Sequence, residues 1–397
     1  MTNLRPEREF APVPGEVEAR ERAWRVVETA YREREQVPPR RRSLRPILAL
    51  AVAAAVAAAA LSPPGRSVGG WIQDRVAGEP EAEPALVRLP APGMLLVAAE
   101  RGPWIVRADG SKRFLGEYED ASFSPRGRFV VATAGRRVVA LEPDGDPRWS
   151  LARPRPVADA RWSPSPGFRI AYREGSTLRV VAGDGTGDRL LARGVEAVAP
   201  AWLPREGRTV VAYARADGTV RVVDVDSGRE LLRTPRAPGV REVFWTPEGL
   251  VAARTTREVR VHDRRGRLLR APVAAPRREV VAAVPLTGAW IVYAEYNRRA
   301  DETQLVREAC FGPGPCIAIG PSRFFRGAGR LRDLTLSPDG RWLLAGWPDA
   351  DPLHFLRLPS VQKIVAVDDV RREFDPGGAG AAAFPRLSAW CCPVSRP

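Results

Sequence analysis

The chain has 397 residues, of which 44% are apolar, and a chain of this size can form one large domain or two or three small ones. Its formal net charge is +15 at pH 7, and all but two of its basic residues, Lys112 and Lys363, are arginines. These arginines are spread along the chain among acidic residues, whereas proteins that read nucleic acid usually concentrate their cations on one element. We therefore expect no nucleic-acid partner.

The first predicted element is an amphipathic helix over residues 15–36, within a segment 1–45 that we assign to the cytoplasm. Apolar residues recur there at helical spacing, and Trp24 and Tyr31 lie on this apolar stripe. A lone helix of this length is only marginally stable in water, so the stripe needs a surface to cover it. Two surfaces fit the pattern: the lipid headgroups, or a cytoplasmic protein for which Trp24 and Tyr31 are candidate contacts.

The second predicted element is a transmembrane helix over residues 46–62. Residues 46–61 carry no charged or polar side chain, but as a helix they span only about 24 Å, less than a hydrocarbon layer of about 30 Å. Four arginines precede them, which by the positive-inside rule keeps the N-terminus in the cytoplasm and places the rest of the chain outside. The alternative is a cleaved signal peptide and a secreted protein. A stalk rich in proline, glycine and glutamate follows at 63–84.

A phrase repeated seven times dominates the predicted domain at 85–397. It consists of an apolar residue, a glycine four or five positions later, and an apolar run. The glycines are Gly93, Gly127, Gly167, Gly207, Gly249, Gly288 and Gly340. A period near forty residues, filled with short strands and turns, is typical of the blades of a β-propeller. We therefore predict an all-β propeller of about seven four-stranded blades, with six or eight as alternatives.

The repeats also predict which residues form the core and how the ring closes. The strand after each glycine is almost entirely apolar, as expected of a strand packed on both faces. The aromatic residues that begin four of the phrases should occupy equivalent core positions: Phe123, Trp162, Trp202 and Trp245. The segment from Ala381, AAAFPRLSAWCCP, is similar to the opening strand of a repeat. We expect it to pair with the first blade, because an unpaired sheet edge invites aggregation.

The turns SPRG and SPDG, together with the DG or DSG turn later in each repeat, resemble the TolB-type and WD40-like (PD40-like) propeller repeats of bacterial envelope proteins. The resemblance covers about residues 84–374, although the Gly-His and Trp-Asp pairs of strict WD40 repeats are missing. It implies a disc whose loop-built faces bind proteins or peptides. The order of short cytoplasmic helix, single span and external domain is similar in layout to bacterial membrane-bound anti-sigma factors.

The four cysteines all follow the predicted membrane helix. Cys310 and Cys316 flank a five-residue turn, and we expect a disulfide between them. The adjacent Cys391 and Cys392 could form a vicinal disulfide, remain free thiols or crosslink to a partner. Their spacing does not match the usual zinc patterns, so we expect no metal and no cofactor.

Catalytic patterns are sparse. The two histidines, His262 and His354, fall in strand-like runs, and no GxSxG, HExxH or GxxxxGK[ST] motif occurs. We expect a binding protein rather than an enzyme. The rival functions are a glycosidase-like hydrolase, which requires acidic side chains that converge at the central channel, and a passive envelope scaffold.

The sixth repeat is about a dozen residues longer than the others and supplies a candidate interface. Arg323, Phe324, Phe325 and Arg326 combine arginine with aromatic residues, a composition enriched at interfaces, although two phenylalanines in a strand are equally typical of a core. The leading hypothesis is a membrane-anchored, extracytoplasmic propeller that binds a protein, a peptide or a wall-derived ligand. It could signal through its cytoplasmic helix.

Overall fold

The computed structural model describes most of the predicted propeller domain. The described residues are 88–164, 168–204, 208–287, 290–309, 321–359, 361, 363–375 and 382–392. The predicted helix at 15–36, membrane helix at 46–62 and stalk at 63–84 lie outside them. Within the described ranges, no helix is long and apolar enough to cross a bilayer.

Seven four-stranded antiparallel sheets, the blades, make up the fold. Blade 1 contains β1 (Met94–Ala99), β2 (Gly102–Arg107), β3 (Lys112–Phe114) and the last strand of the chain, β28 (Arg386–Cys391). Blade 2 contains β4 (Asp120–Phe123), β5 (Val130–Ala134), β6 (Arg137–Leu141) and β7 (Pro147–Ala152). Blade 3 contains β8 (Val157–Trp162), β9 (Arg169–Glu174), β10 (Thr177–Ala182) and β11 (Arg189–Arg193).

The remaining four blades follow in chain order. Blade 4 contains β12 (Ala201–Trp202), β13 (Val210–Ala214), β14 (Val220–Asp224) and β15 (Glu230–Arg233). Blade 5 contains β16 (Glu242–Trp245), β17 (Val251–Arg254), β18 (Val259–His262) and β19 (Leu268–Arg270). Blade 6 contains β20 (Arg278–Leu286), β21 (Trp290–Asn297), β22 (Glu302–Ala309) and β23 (Ser322–Ala328). Blade 7 contains β24 (Asp333–Leu336), β25 (Trp342–Gly346), β26 (Leu353–Arg357) and β27 (Ile364–Val367).

The prediction that the apolar strand after each glycine packs on both faces is confirmed in β5. Val130 and Ala132 point into the cluster shared with blade 1, whereas Val131 points into the cluster shared with blade 3. All three side chains are fully buried. Because successive residues of a strand face opposite sides of its sheet, an uninterrupted apolar run is what a blade between two neighbours requires.

The repeated SPRG and SPDG turns connect the first and second strands. In blade 2, the Ser124 carbonyl accepts the Gly127 N–H at 2.8 Å, and the Ser124 hydroxyl accepts the Phe129 N–H at 3.0 Å. Gly127 has a φ of +63°, which favours glycine. Ser337 makes the same two kinds of bond, to Gly340 and Trp342. The motif is therefore a structural turn.

The C-terminal strand closes the ring as predicted. β28 pairs antiparallel with β1 as the first strand of blade 1. Its last residue, Cys391, lies opposite Met94 just as Phe123 lies opposite Val130 in blade 2. Cys391 therefore occupies the position in blade 1 that Phe123 has in blade 2. Leu89 is buried in the cluster between blades 7 and 1.

A short helix that the sequence did not predict lies at the closing joint. The helix α1 (Val370–Phe374) buries Val370 and Phe374 in the cluster between blades 7 and 1. The Lys112 ammonium of blade 1 donates to the Glu373 carbonyl at 2.8 Å and to its carboxylate at 2.9 Å. The helix thereby joins the end of blade 7 to blade 1.

The antiparallel strand order gives the ring two different faces. We call "turn face" the one that carries the turns between first and second and between third and fourth strands of each blade. We call "connection face" the one that carries the turns between second and third strands and the links between blades. The first strands of neighbouring blades contact one another and line the central channel.

Candidate functional site

The four candidate interface residues of the sixth repeat lie on β23, the outermost strand of blade 6. Phe324 and Phe325 are half-buried in the cluster between blades 6 and 7. Arg323 and Arg326 are exposed and lie 3.8 Å and 3.2 Å from the carboxylates of Glu295 and Glu302. The structure therefore separates the quartet into packing phenylalanines and outward arginines.

Of the other candidate residues, Trp24, Tyr31, Cys310 and Cys316 lie outside the described residues. Cys391 and Cys392 form a vicinal disulfide at the turn face. The Sγ of Cys392 lies 3.6 Å from the carbonyl oxygen of Pro125 in blade 2. The pair thus lies at the contact between blades 1 and 2.

Both histidines are embedded in blades. His262 is 1% exposed on β18, and burial together with the nearby Arg260 lowers its pKa to about 4. His354 on β26 packs its ring against Trp347, with ring centres 5.2 Å apart, and burial lowers its pKa as well. At neutral pH both imidazoles are therefore neutral.

The central channel contains a cavity of about 620 Å³, lined mainly by the first strands of blades 1 to 5. Two carboxylates on the first strands are paired with arginines. Asp120 lies 2.6 Å from Arg161, and Glu242 lies 2.8 Å from Arg254. Asp333 on β24 instead accepts the Leu387 N–H at 3.1 Å, and desolvation, with a smaller contribution from the charge of Glu242, raises its pKa to about 6.

Three of the four predicted core aromatics, Phe123, Trp162 and Trp202, are buried, and Trp245 is half-buried. Two of the tryptophans also join neighbouring blades. The Trp202 indole N–H donates to the Arg161 carbonyl at 2.8 Å, and the Trp245 indole N–H donates to the Ala201 carbonyl at 2.9 Å. These residues therefore hold the ring together, as the repeats predicted.

A second cavity, of about 650 Å³, opens between blades 2 and 3 on the turn face. We call it the aromatic groove. Aromatic, charged and small residues of both blades line it: Phe129, Ala140, Arg148, Trp149, Trp162, Phe168, Arg169, Ala182, Gly183 and Asp184. Its composition of aromatic residues and arginine matches that of protein interfaces.

The glycine-rich turn GDGTGD forms one wall of the aromatic groove. The Trp149 indole N–H donates to the Gly183 carbonyl at 2.8 Å. A Cβ at Gly183 would come within 2.8 Å of the Trp162 ring, and one at Gly185 within 3.0 Å of the Trp149 ring. The glycines therefore let the turn lie directly against the two tryptophans.

Asp184 folds back onto its own turn. Its Oδ1 accepts both the backbone N–H and the hydroxyl of Thr186, at 3.0 Å and 2.7 Å. These bonds lower the pKa of Asp184. The carboxylate is thus ionised and already serves the turn.

Phe168 is the most exposed aromatic side chain of the groove, at 51%, and its φ of +34° is unfavourable for a bulky residue. The sequence did not single it out. The sequence marks it in one way only: the residue after the repeated glycine is phenylalanine in the third repeat, whereas it is arginine in the second, fourth and seventh repeats.

No family profile and no curated protein matches the chain. Solved structures do. A chain from "Crystal Structure of Mitotic Checkpoint Complex" is 16% identical with a TM-score of 0.54. A chain from "Crystal structure of Kluyvelomyces marxianus Hsv2" is 12% identical with a TM-score of 0.50. Each match covers 70% of this chain and 94% of the other. At such low identity, the likeness shows a shared propeller fold.

Proposed function

We propose that this protein is a protein-binding module, anchored in a membrane and carrying its propeller outside the cytoplasm. The observation that carries the proposal is the aromatic groove, a partly exposed set of aromatic and arginine side chains on a face built of turns. A similar fold occurs in a chain of a mitotic checkpoint complex, which supports a role in protein assembly.

A non-catalytic role fits the polar groups of the propeller. The buried His262 has a pKa too low for a general base near neutral pH. The channel acids Asp120 and Glu242 are paired with arginines. Binding by the propeller faces requires none of these groups to react.

Crosslinking mass spectrometry on membranes of host cells that produce the full chain tests the binding function. A protein-binding module should give crosslinks from propeller residues to another protein. An excess of the purified chain, added as a competitor, should reduce these crosslinks. Crosslinks confined to the chain itself would contradict the proposal.

The membrane anchor in this proposal is the apolar run at 46–61, with its preceding arginines. Alkaline carbonate extraction of membranes tests it. The full chain should stay in the pellet, and the double variant Val52→Arg, Val56→Arg should move to the supernatant, because two charges in the apolar run make insertion unfavourable. Equal extraction of both chains would contradict the anchor.

The proposal also includes signalling to a cytoplasmic protein through the predicted helix at 15–36. Its support is the apolar stripe with Trp24 and Tyr31, which needs a covering surface. The variant Trp24→Ala, Tyr31→Ala should lose a cytoplasmic protein crosslink and keep its membrane attachment. If both variant and wild type crosslink only to lipid, the helix has no protein partner.

A further inference from the structure

We propose that the aromatic groove binds an acidic, extended peptide segment of the partner protein, which inserts one aromatic or large aliphatic side chain between blades 2 and 3. This inference rests on the proposed function and names the partner chemistry at one site. It is carried by the apolar surface, the charge and the shape of the groove.

The apolar surface consists of rings that the fold leaves uncovered. Phe168 is half-exposed in a left-handed conformation, and Phe129 and Trp149 are half-buried around the same cavity. Phe129 stacks on Trp162, with ring centres 6.3 Å apart, so the floor of the groove is a preformed aromatic surface. An unfavourable backbone conformation that keeps a large ring in solvent is typical of binding sites.

The rim of the groove offers two exposed arginines that an acidic partner can bind. Arg148 and Arg169 line the rim, and their side chains are 57% and 40% exposed. Their ion pairs, with Glu142 at 3.0 Å and with Asp226 at 3.2 Å, are exposed and contribute little. A partner carboxylate can therefore replace them at small cost. Asp184, the one acid of the lining, is bound to Thr186.

Arg148 also connects the charged and apolar parts of the groove. Its guanidinium lies 5.8 Å from the centre of the Phe129 ring. This stacking orients the guanidinium, and a partner carboxylate that replaces Glu142 can bind it in a bidentate manner. An apolar side chain in the groove and an acidic neighbour can then be bound together.

The shape of the groove favours an extended segment. A cavity of about 650 Å³ that is open to solvent holds one large side chain and part of the backbone around it. The turns of two blades bound it, and a strand-like peptide advances about 3.4 Å per residue, so three or four residues cross such a groove. Tryptophan and arginine are also the residues that most often dominate binding energy at protein interfaces.

The first test is fluorescence polarisation with the full chain in detergent. The probes are a labelled peptide with the residue order Asp-Glu-Phe-Asp-Glu, a second in which alanine replaces phenylalanine, and a third in which lysine replaces every acid. The first should bind at least ten-fold more tightly than the other two. Equal binding of all three would overturn the proposal.

Variants locate the binding. Phe168→Ala should weaken binding of the first peptide about ten-fold, and Phe168→Tyr should restore it, since a ring is what the groove supplies. Arg148→Gln should weaken binding several-fold and reduce its salt dependence. The matched control is Ile364→Ala, which removes a similarly exposed side chain from the outer strand of blade 7. Equal affinity of the Phe168→Ala variant and the control would overturn the proposal.

Two further outcomes show which ligand the groove binds and whether the proposed function depends on the groove. A labelled single-stranded oligonucleotide that binds more tightly than the acidic peptide, with the same loss in Phe168→Ala, would replace the peptide by nucleic acid. Protein crosslinks from the propeller that survive Phe168→Ala would leave the proposed function standing and remove the groove from it. Circular dichroism should show unchanged folding of all variants, because the substituted side chains are largely exposed.

Discussion

The regular joints of the ring and the joint that closes it are built differently. Between blades 3 and 4, and between blades 4 and 5, one tryptophan indole donates to the carbonyl of the preceding first strand. The joint between blades 7 and 1 instead uses α1, the strand β28 and several separate polar contacts. Regular joints connect neighbouring repeats, whereas Lys112 and Glu373 at the closing joint are 261 positions apart.

This difference follows from chain entropy. Bringing distant segments together requires closing a long loop, so the contacts that do it must offset a larger entropy loss. At the closing joint, Asp333 accepts the Leu387 N–H at 3.1 Å, Arg332 donates to the Phe384 carbonyl at 2.7 Å, and Glu100 accepts the Ala383 N–H at 2.9 Å. The closing joint therefore has additional hydrogen bonds between segments that are far apart in the sequence.

Removal of β28 should have the largest effect on this comparison. A chain that ends after Pro385 lacks β28, so one edge of β1 is unpaired. It also exposes the cluster that Leu387 and Trp390 bury. We expect aggregation in size-exclusion chromatography, or a Tm lower by more than about 10 °C in calorimetry. A peptide spanning 382–397, added in trans, should restore part of the loss. An unchanged Tm without the peptide would show that the ring does not need β28.

The substitution Phe374→Ala should come next. Phe374 is 1% exposed and lies 6.2 Å from the Trp104 ring, measured between centres. Removing a buried phenylalanine side chain costs about 3–5 kcal/mol. Denaturant unfolding should show this loss, and Ile364→Ala, at an exposed site, should stay within about 0.5 kcal/mol of the wild type. Similar small losses for both would mean that α1 does not stabilise the joint.

The substitution Asp333→Asn tests a carboxylate that destabilises the folded protein at neutral pH, whereas most carboxylates paired in the folded state stabilise it there. Part of the Asp333 side chain is accessible, but the surrounding protein desolvates the carboxylate and raises its pKa to about 6 from 3.8. A raised folded-state pKa means that the favourable contribution is present below pH 3.8 and lost as the pH rises through 6. The amide still offers an oxygen to Leu387.

At pH 7.5, the Asp333→Asn variant should therefore be more stable than the wild type, by about 1 kcal/mol. The difference should shrink towards pH 4. Denaturant midpoints of both proteins between pH 4 and 8 measure it. A wild type that is the more stable protein at pH 7.5 would contradict the assignment of Asp333 as a desolvated carboxylate.

The smallest effect tests a regular joint. Trp202→Phe removes the N–H that bonds to the Arg161 carbonyl and should cost about 1 kcal/mol beyond the change in size. Trp162→Phe is the matched control, since the Trp162 indole N–H is buried without a hydrogen-bond partner among the described residues. Calorimetry should show the larger loss for Trp202→Phe. Equal losses would mean that the indole bonds contribute nothing to the joints.

The sequence predicted what is encoded within one repeat or repeated between them. Phe123 and Trp162 are visible as core residues because they recur at the same place in the phrase, and the segment AAAFPRLSAWCCP is similar enough to AVAPAWLP to predict closure. Helix α1 spans only five residues, too few for a helical period to be visible. Its role depends on Lys112, far away in the chain.

The aromatic groove was beyond the reach of the sequence for a related reason. Phe129, Trp149 and Phe168 belong to three separate strands or turns of two blades, and each alone reads as an ordinary core or turn residue. Only the packing of blade 2 against blade 3 brings them to one cavity. The candidate on β23 illustrates the opposite case, because residues adjacent in sequence, such as Phe325 and Arg326, point to different surroundings.

The most direct test of the account compares the two faces of one blade. A photo-crosslinking amino acid replaces either Phe168 on the turn face or Ser176, an exposed residue on the connection face of blade 3. The full chain is produced in host cells, irradiated and analysed by mass spectrometry. The account predicts a crosslinked partner protein, joined through an acidic segment, at position 168 and not at 176. A partner captured only at 176, or none at either position, would contradict it.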